Sequence, residues 1–381
     1  MPFVAQKDRS AYPAAGRLPA VDAMRGLVMV LMTVDHASHA FNAGRYVTDS
    51  IAMYRPGSAL PAVQFLVRWM THLCAPTFIF LAGLALAFNI ARKQAAQVPE
   101  KKIDGDLITR GLFILALDPL WMSLGFGGGR IFQVLYAIGG GFCCMALLRR
   151  MGTRTLLIVG LVMMLGSEAL AGLTLWLGDG RHSGPLDALL ATGGRIDDMV
   201  FVLYPLLPWL AYMILGLGCG RLLQQGVIKK PARWFAAAGV LLLGLFTIIR
   251  GLNGYGNMHL YRDNLNLLQW LHVSKYPPSL TFALLTLGLM SLWLALFFRI
   301  YTKDRIPAGD PLLVFGHTPL FFYLLHVHLL SGSAALLGLW EAGGLREAFI
   351  AAAVVLLILY PLCRWYAGVK RAHASSFLRF V

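Results

Sequence analysis

Long apolar stretches constrain this chain more than any other feature. A transmembrane helix needs about 20 mostly apolar residues in a row, because each backbone polar group must find its partner within the segment. The sequence has ten such stretches, near residues 23–41, 71–91, 107–125, 130–148, 155–177, 200–222, 233–250, 279–300, 312–332 and 347–367, and leaves room for an eleventh around 333–343. Only 13% of the residues are charged, against about 25% in soluble domains. The sequence therefore predicts an all-α polytopic membrane protein with ten or eleven transmembrane helices.

The distribution of basic residues predicts the orientation in the membrane. When alternate loops are assigned to opposite sides, 23 of the 33 lysines and arginines fall on the side that holds the N-terminus. By the positive-inside rule, both termini are expected in the cytoplasm. The three longer loops, 42–62, 178–199 and 251–278, are then external. Topology and contact with anionic lipids account for the net charge of +15, so nucleic acid is not an expected partner.

The chain is interpreted as one transmembrane domain over residues 1–381, with a cytoplasmic segment at 1–20 and a cytoplasmic tail at 368–381. No cleavable signal is expected, because the first apolar stretch is long and lacks a small-residue cleavage site. The glycine clusters at 126–130, 138–142 and 216–221 do not join a strand to a helix, so they are interpreted as contacts between helices. The five cysteines lie within predicted spans and are expected to pack as small apolar residues.

A few ionisable side chains interrupt the apolar stretches. Such groups are costly at membrane depth and are therefore candidates for function. They are Asp35, His36, His39, His72, Asp118, Glu168, His317, His326 and His328. With the N-terminus inside, all of these except His317 fall in the outer half of the membrane. The sequence thus predicts a polar cluster of histidines and carboxylates in that half.

Imidazoles and carboxylates together are suited to acyl transfer. A neutral imidazole can take a proton from a hydroxyl or an amine as it attacks a carbonyl, and a carboxylate behind the ring can fix its tautomer. On the first helix, Asp35 is turned about 100° from His36 and cannot easily be its partner. Asp118 or Glu168 would then have to orient His36, or Asp35 could orient His72. The alternative is that several histidines only bond to backbone carbonyls of kinked helices.

The inner end of the first helix offers a place for an anionic donor. Arg25 lies at the predicted cytoplasmic border, where it could bind phosphate or serve only as an anchor at the interface. It precedes His36 by 11 residues, about 16 Å along a helix axis. An acyl-coenzyme A, with an anionic head and a reactive group on a long arm, has the shape to bridge that gap.

Three segments resemble a known family. The stretches "RLPAVDAMRGLVMVLMTVDHASH" (17–39), "THLCAPTFIFLAG" (71–83) and "FGHTPLFFYLLH" (315–326) look like bacterial membrane proteins related to the catalytic domain of heparan-alpha-glucosaminide N-acetyltransferase. The "DAMRG" opening is similar to the wider transmembrane acyltransferase superfamily. There a histidine follows the Arg-Gly pair at the interval that separates Arg25 from His36, which implies a catalytic role for His36. The resemblance also implies acyl transfer, commonly of acetyl from cytoplasmic acetyl-CoA to sugars across the membrane.

The sequence departs from the glucosaminide enzymes at three positions. They have Asn where this chain has Asp35, their catalytic histidine falls at Tyr46 by simple counting, and their Asp ahead of the proline of the second span is replaced by His72. These differences leave both His36 and His72 as candidates for the base. They favour a saccharide of a bacterial envelope over heparan as the acceptor.

The leading hypothesis is an acyltransferase of a bacterial inner membrane. It would move acetyl or a short acyl group from acyl-CoA to an amine or hydroxyl of an envelope saccharide. His36 or His72 is expected to be the base or, alternatively, a transient acyl carrier, and Arg25 to assist the donor phosphates. Asp35 is also expected to be catalytic. Substrate-binding or orienting roles are expected for Asp118, His326, Glu168 and His328. No metal is expected.

A proton-coupled transporter of a small polar solute is the alternative, because buried ionisable groups and proline-broken helices also build transport paths. The absence of a visible pair of matching broken segments in the two halves weighs against it.

The outer segment 250–278 combines turn residues, aromatic and polar side chains, a composition that suits either a lip over a polar ligand or an ordinary ordered loop. The oligomeric state stays open, a homodimer included.

Overall fold

The computed structural model describes residues 18–50, 52–126, 129–177, 184–302, 306 and 309–372. Most of the predicted N-terminal segment, residues 1–17, and residues 373–381 of the predicted tail lie outside this range. The helices are α1 (Pro19–Phe41), α2 (Ala62–Met70), α3 (Cys74–Ala95), α4 (Glu100–Leu120), α5 (Val134–Leu148), α6 (Thr153–Leu177), α7 (Pro185–Asp187), α8 (Leu206–Gln224), α9 (Pro231–Leu252), α10 (Leu267–Leu271), α11 (Leu280–Ile300), α12 (Pro311–His317), α13 (Pro319–Leu336) and α14 (Leu345–Ala372). Short 3₁₀ segments at Thr71–Leu73 and Met122–Phe126 join α2 to α3 and follow α4.

Eight helical segments of the described residues are long and apolar enough to cross a membrane. This finding supports the predicted class, a mostly helical polytopic membrane protein, but it does not confirm the predicted number of ten spans. The stretch 23–41 is helical as part of α1, and the stretch 130–148 contains a short strand followed by α5; neither helix is among the eight. The helix α5 has only 15 residues, and α1 carries several ionisable side chains that make it less apolar.

Proline shapes the last part of the bundle. The predicted span 312–332 is divided into α12 and α13, which meet at Thr318 and Pro319. Proline has no N–H to donate and occupies the first position of α13, where that donor is not needed. The predicted eleventh span does not form, because α13 ends at Leu336 and the described residues 337–344 form turns and extended chain.

A small sheet lies between the helices. Its three short strands are β1 (Arg130–Phe132), β2 (Gly194–Arg195) and β3 (Val200–Val202). The strand β3 lies in the middle, parallel to β1 and antiparallel to β2. It joins the segment before α5 to the segment before α8, so both helices start from one fixed element.

Glycines allow the helices α3 and α8 to cross in close contact. A Cβ atom at Gly83 would lie 2.0 Å from the carbonyl oxygen of Met213, and one at Gly216 would lie 2.0 Å from that of Phe80. Real side chains do not approach this closely, so each position accepts only glycine. The cluster at 216–221 therefore serves helix packing, as the sequence predicted.

Glycines also allow α1 and α12 to pack in close contact. A Cβ atom at Gly26 would lie 1.9 Å from the oxygen of Leu312, and one at Gly316 would lie 1.9 Å from the oxygen of Asp22. The contact fixes the N-terminal end of α1, which carries Arg25, beside the break between α12 and α13. Both helices line the larger cavity described below.

Replacing Gly216 with alanine is expected to destabilise the folded protein strongly, because the new methyl group must push α3 away from α8. Gly244→Ala is the matched control, since a Cβ atom at Gly244 in α9 meets no atom within 4 Å and alanine favours helix by about 1 kcal/mol. Thermal unfolding of detergent-purified variants measures the difference. Equal unfolding temperatures for the two variants would contradict the close crossing.

A buried arginine organises the outer segment 250–278. Arg250 lies in the last turn of α9, and its guanidinium donates to Asn257 Oδ1 at 2.6 Å, to the oxygen of Leu260 at 2.8 Å and to that of Gln269 at 2.7 Å. A buried guanidinium with these partners holds the loop in one conformation. The segment is therefore held in place, and it positions Lys275 and Tyr276 against the helices of the bundle.

Candidate active site

Two adjoining cavities lie along α1. The larger has a volume of about 600 Å³ and extends from Leu18 at the inner end of α1 to Met29. The smaller has a volume of about 30 Å³ and is lined by Asp35 and His36 from the outer half of α1. Three residues line both: Phe78, Val134 and Tyr323. We infer that these three side chains form the boundary at which the larger cavity meets the smaller one.

The larger cavity carries an excess of positive charge. Its lining includes five basic side chains and two carboxylates, namely Arg25, Arg92, Lys93, Arg110 and Lys370 with Asp22 and Asp106. Arg25 donates to Asp22 Oδ1 at 3.0 Å, and Lys93 pairs with Asp106 at 2.6 Å. Arg110 lies over the ring of Phe142 at 5.1 Å, and its Nε is buried without a hydrogen-bond partner among the described residues. A volume in the range of ligand sites, with cations on its walls, suits an anionic ligand.

His36 and His326 form a hydrogen-bonded pair, and the backbone fixes their tautomers. His326 Nδ1 lies 2.8 Å from the oxygen of Tyr323 and 3.2 Å from that of Phe322. Carbonyl oxygens only accept, so this nitrogen carries the proton and Nε2 of a neutral His326 is an acceptor. His36 Nδ1 lies 2.7 Å from that Nε2 and must donate to it. The basic nitrogen of His36 is therefore Nε2, by assignment from the hydrogen-bond network.

The surroundings hold the His36 ring in place without sealing it. The edge of Phe126 packs on it at 5.3 Å between centroids, and the ring of Tyr323 lies at 6.4 Å. His326 is fully buried, whereas His36 is partly exposed and lines the smaller cavity. A base that is held by a fixed hydrogen bond and lines a cavity is an arrangement suited to proton transfer.

Arg68 connects two buried carboxylates next to this cavity. Its Nη1 lies 2.7 Å and 2.8 Å from the two oxygens of Asp35, and its Nε donates to Asp49 Oδ2 at 2.7 Å. Arg45 approaches Asp35 from the outer side at 3.5 Å. Asp35 is thus held by arginines. Among the described residues Asp35 makes no hydrogen bond to His36, in agreement with the helix geometry, and none to His72.

His72 lies in sealed packing. It is only 2% exposed, its Nε2 lies 3.3 Å from Asp49 Oδ1 without hydrogen-bond alignment, and its ring packs on Phe282. His72 lines neither of the two cavities. The carboxylate beside it is therefore Asp49, a residue of the outer loop, and the position favours a structural role over that of a base.

Asp118 and Glu168 have backbone partners in place of histidines. Asp118 Oδ2 accepts from the N–H of Gln133 at 2.8 Å and from that of Tyr136 at 2.6 Å, at the start of α5. A carboxylate there satisfies unpaired N–H groups and interacts favourably with the helix dipole. Glu168 Oε2 accepts from the N–H of Gly256 in the outer segment. The prediction that either carboxylate orients His36 is therefore wrong.

The remaining predicted histidines lie at the edges of the site. His39 Nδ1 lies 2.9 Å from Arg45 Nη1, and His328 packs on the Trp121 ring at 4.5 Å. His317 lines the larger cavity near Asp22, with 3.5 Å between His317 Nε2 and Asp22 Oδ2. Among the described residues, no group of three His, Cys, Asp or Glu side chains is placed to hold a metal ion.

Several site residues were not predicted. Arg68 lies in "FLVRWM", a charged side chain in an apolar run just ahead of the predicted second span, and starting that span at Ala62 would have exposed it as a candidate. Asp49 and Lys275 lie in loops, where charged residues are common and carry no signal by themselves. Tyr204 and Tyr323 complete the smaller cavity. They were hidden among the many aromatic residues of the chain.

Comparison with known proteins agrees with the resemblance seen in the sequence. A family model described as heparan-alpha-glucosaminide N-acetyltransferase, catalytic, matches residues 17–251. This range includes the helices α1 to α8, the small sheet and most of α9. A search of curated proteins finds no match. The matched range contains His36, Arg68 and Arg110, while Lys275 and His326 lie beyond it.

Proposed function

This chain belongs to the family of the heparan-alpha-glucosaminide N-acetyltransferase catalytic domain, and from this premise we propose that it transfers acetyl or a short acyl group from cytoplasmic acyl-CoA to an amine or hydroxyl of an envelope saccharide. The proposed location is the inner membrane of a bacterium, with both termini in the cytoplasm. One observation carries the proposal: a basic cavity adjoins a small one that is lined by His36, whose Nδ1 is held by His326.

The larger cavity has the features that an acyl-CoA donor requires. Its positive charge suits the nucleotide phosphates, with Arg110, Arg92 and Arg25 as the proposed contacts. The arm of the donor would then pass Phe78 and Tyr323 toward His36. An 11-residue separation of Arg25 and His36 on one helix corresponds to about 16 Å. An extended arm, and not a compact acyl donor, fits that separation.

In the proposed reaction, His36 is the general base. The acceptor nitrogen or oxygen attacks the thioester carbonyl carbon while His36 Nε2 takes the acceptor proton. His326 accepts from His36 Nδ1 and keeps Nε2 unprotonated and directed at the substrate. Collapse of the tetrahedral intermediate breaks the C–S bond, and the coenzyme A thiolate takes the proton from His36 Nε2, which restores the base. General-base catalysis of this kind contributes about 10²–10⁴-fold.

The size of the smaller cavity supports a short acyl group. A volume of about 30 Å³ is room for roughly two waters, since one water needs about 10–15 Å³ by the same measure. An acetyl group is of comparable size. Long acyl chains would need to displace the packed aromatic side chains around His36.

The direct test is transfer by the purified protein. Labelled acetyl-CoA is incubated with a panel of amino sugars and periplasmic glycans, and products are read by mass spectrometry. An acetylated product that requires the protein supports the proposal, and its mass change and position separate N-acetylation from O-acetylation. Absence of transfer to every acceptor, together with solute uptake by vesicles that hold no acyl donor, would favour a transporter instead.

Arg110→Gln is expected to weaken coenzyme A binding about tenfold or more, because charge-assisted hydrogen bonds contribute about 1.5–3 kcal/mol. Arg154→Gln is the matched control, an exposed arginine that lines neither cavity. The shift of the unfolding temperature with increasing coenzyme A concentration gives the two dissociation constants. Equal affinities for both variants would place the nucleotide outside this cavity.

A further inference from the structure

A buried lysine lies at the smaller cavity, opposite the part of the chain that carries His36. Lys275 comes from the outer segment 250–278 and is only 3% exposed. Its backbone N–H donates to the oxygen of Asp49 at 2.8 Å, which fixes its position. Its side chain lines the smaller cavity together with His36, Tyr204 and Tyr323. A lysine from a loop is thus buried beside the same cavity as His36.

The neighbouring carboxylates are already engaged by arginines. Arg68 bonds to both Asp35 and Asp49, and Arg45 adds a second cation near Asp35. Among the residues that the structure describes, Lys275 Nζ makes no hydrogen bond and no ion pair within 4 Å; it lies 5.1 Å from the centre of the Tyr276 ring and interacts electrostatically with Asp35 and Asp49 from a greater distance. A buried charge without such partners is costly unless a ligand or a reaction uses it. Lys275 and His36 line the same cavity, so a ligand bound there would lie beside both side chains.

We propose that Lys275 is a catalytic residue that stabilises the oxyanion of the tetrahedral intermediate. This inference rests on the proposed function. As the acceptor attacks, the carbonyl π electrons move to the oxygen, and the acceptor proton goes to His36 Nε2. Lys275 Nζ donates a hydrogen bond to the new oxyanion. When the C=O bond re-forms, the C–S bond breaks, the thiolate leaves, and Lys275 keeps all its protons.

The base and the proposed oxyanion donor come from different parts of the chain. The base comes from α1, within the half of the chain that the family model matches, whereas the proposed oxyanion donor comes from the loop before α11. A preorganised cation in a site that excludes water stabilises developing negative charge more than water does. The buried charge of Lys275 would then lower the barrier without any movement of the loop.

Lys275→Met tests the role by comparing two donors. With acetyl-CoA, kcat is expected to fall about 10²-fold or more, as on removal of an oxyanion donor, while KM for acetyl-CoA changes little. With fluoroacetyl-CoA the loss of kcat is expected to be smaller, because the electron-withdrawing fluorine itself stabilises the oxyanion. The hydrogen bond from Lys275 then contributes less to the rate. Lys275→Arg, which keeps the cation, is expected to retain more activity than Lys275→Met with acetyl-CoA.

The controls separate this role from folding and from the proposed function. Thermal stabilisation by coenzyme A reports whether Lys275→Met is folded. If Lys275→Met does not fold, Lys275→Gln is used in the same comparison of the two donors. An equal loss with both donors, or unchanged kcat, would overturn the oxyanion role while leaving acetyl transfer intact. No transfer by the unmodified protein would overturn the proposed function, and the role of Lys275 with it.

Discussion

His36→Gln is expected to lower kcat for acetyl transfer by about 10²–10⁴-fold, the usual contribution of a general base. Glutamine has nearly the same size and can still donate to His326 Nε2, but it has no basic nitrogen. The packing of Phe126 and Tyr323 around the side chain should therefore persist. Coenzyme A should still raise the unfolding temperature, because His36 lines only the smaller cavity. Rates are measured with labelled acetyl-CoA and the acceptor found in the transfer assay.

His328→Gln is the matched control for this result. His328 also lies in the predicted outer half, but it packs against Trp121 and lines neither cavity. Its replacement should leave kcat within a few-fold of the unmodified protein. If His36→Gln retained turnover and His72→Gln lost it, the base would be His72 and the assignment made here would be wrong.

Arg68→Met is expected to have the largest effect on stability. Arg68 is 7% exposed and bonds to both Asp35 and Asp49, so its loss leaves two carboxylates in a buried site without their main partner. Breaking a buried ion pair by removing one partner costs about 3–5 kcal/mol. For a chain of this size that corresponds to a fall of roughly 4–6 °C in unfolding temperature. Thermal unfolding in detergent measures the change.

Arg55→Met is the control, since Arg55 lies in the loop that carries Asp49 and is exposed. This substitution should leave the unfolding temperature within about 1 °C, as expected for a surface substitution. Equal falls for Arg55→Met and Arg68→Met would contradict the bridging role of Arg68.

The pH dependence of Arg68→Met adds a second readout. Burial raises the pKa of Asp49, but the Arg68 guanidinium and the neighbouring His72 outweigh burial and hold that pKa well below its usual value. A carboxyl with a depressed pKa stabilises the fold above its unfolded pKa of about 3.9, and this contribution is lost only as the pH falls toward the depressed pKa. Without Arg68, burial dominates and the pKa of Asp49 rises. The stability deficit of Arg68→Met should therefore be smaller at pH 5 than at pH 8.

The membrane class was readable from the sequence because apolar length is a local property. Each span needs only its own residues to satisfy its backbone, so the stretches 71–91, 200–222 and 279–300 correspond closely to helices in the structure. Breaks are harder to place. The sequence predicted one span at 312–332, but this stretch is divided into α12 and α13 at Pro319, because Gly316 packs on α1 and fixes the first piece separately.

The partners within the site could not be predicted, because they come from distant parts of the chain. Spacing on α1 correctly excluded Asp35 as a partner of His36, since both lie on one helix. The partner that His36 does have, His326, is 290 residues away, and no local pattern joins the two. Asp118 was misassigned for a related reason. Its function as a cap of α5 depends on the turn at 121–133, which brings the start of that helix back to the carboxylate.

The central claim is that a donor entering through the basic cavity delivers its thioester to His36. The most direct measurement is a cryo-EM structure with a thioether analogue of acetyl-CoA. We expect its phosphates beside Arg110 and Arg92, its arm between Phe78 and Tyr323, and its sulfur within about 4 Å of His36 Nε2, the distance that near-attack geometry and hydrogen bonding allow. Density for the analogue outside this cavity, or a sulfur turned away from His36, would contradict the account.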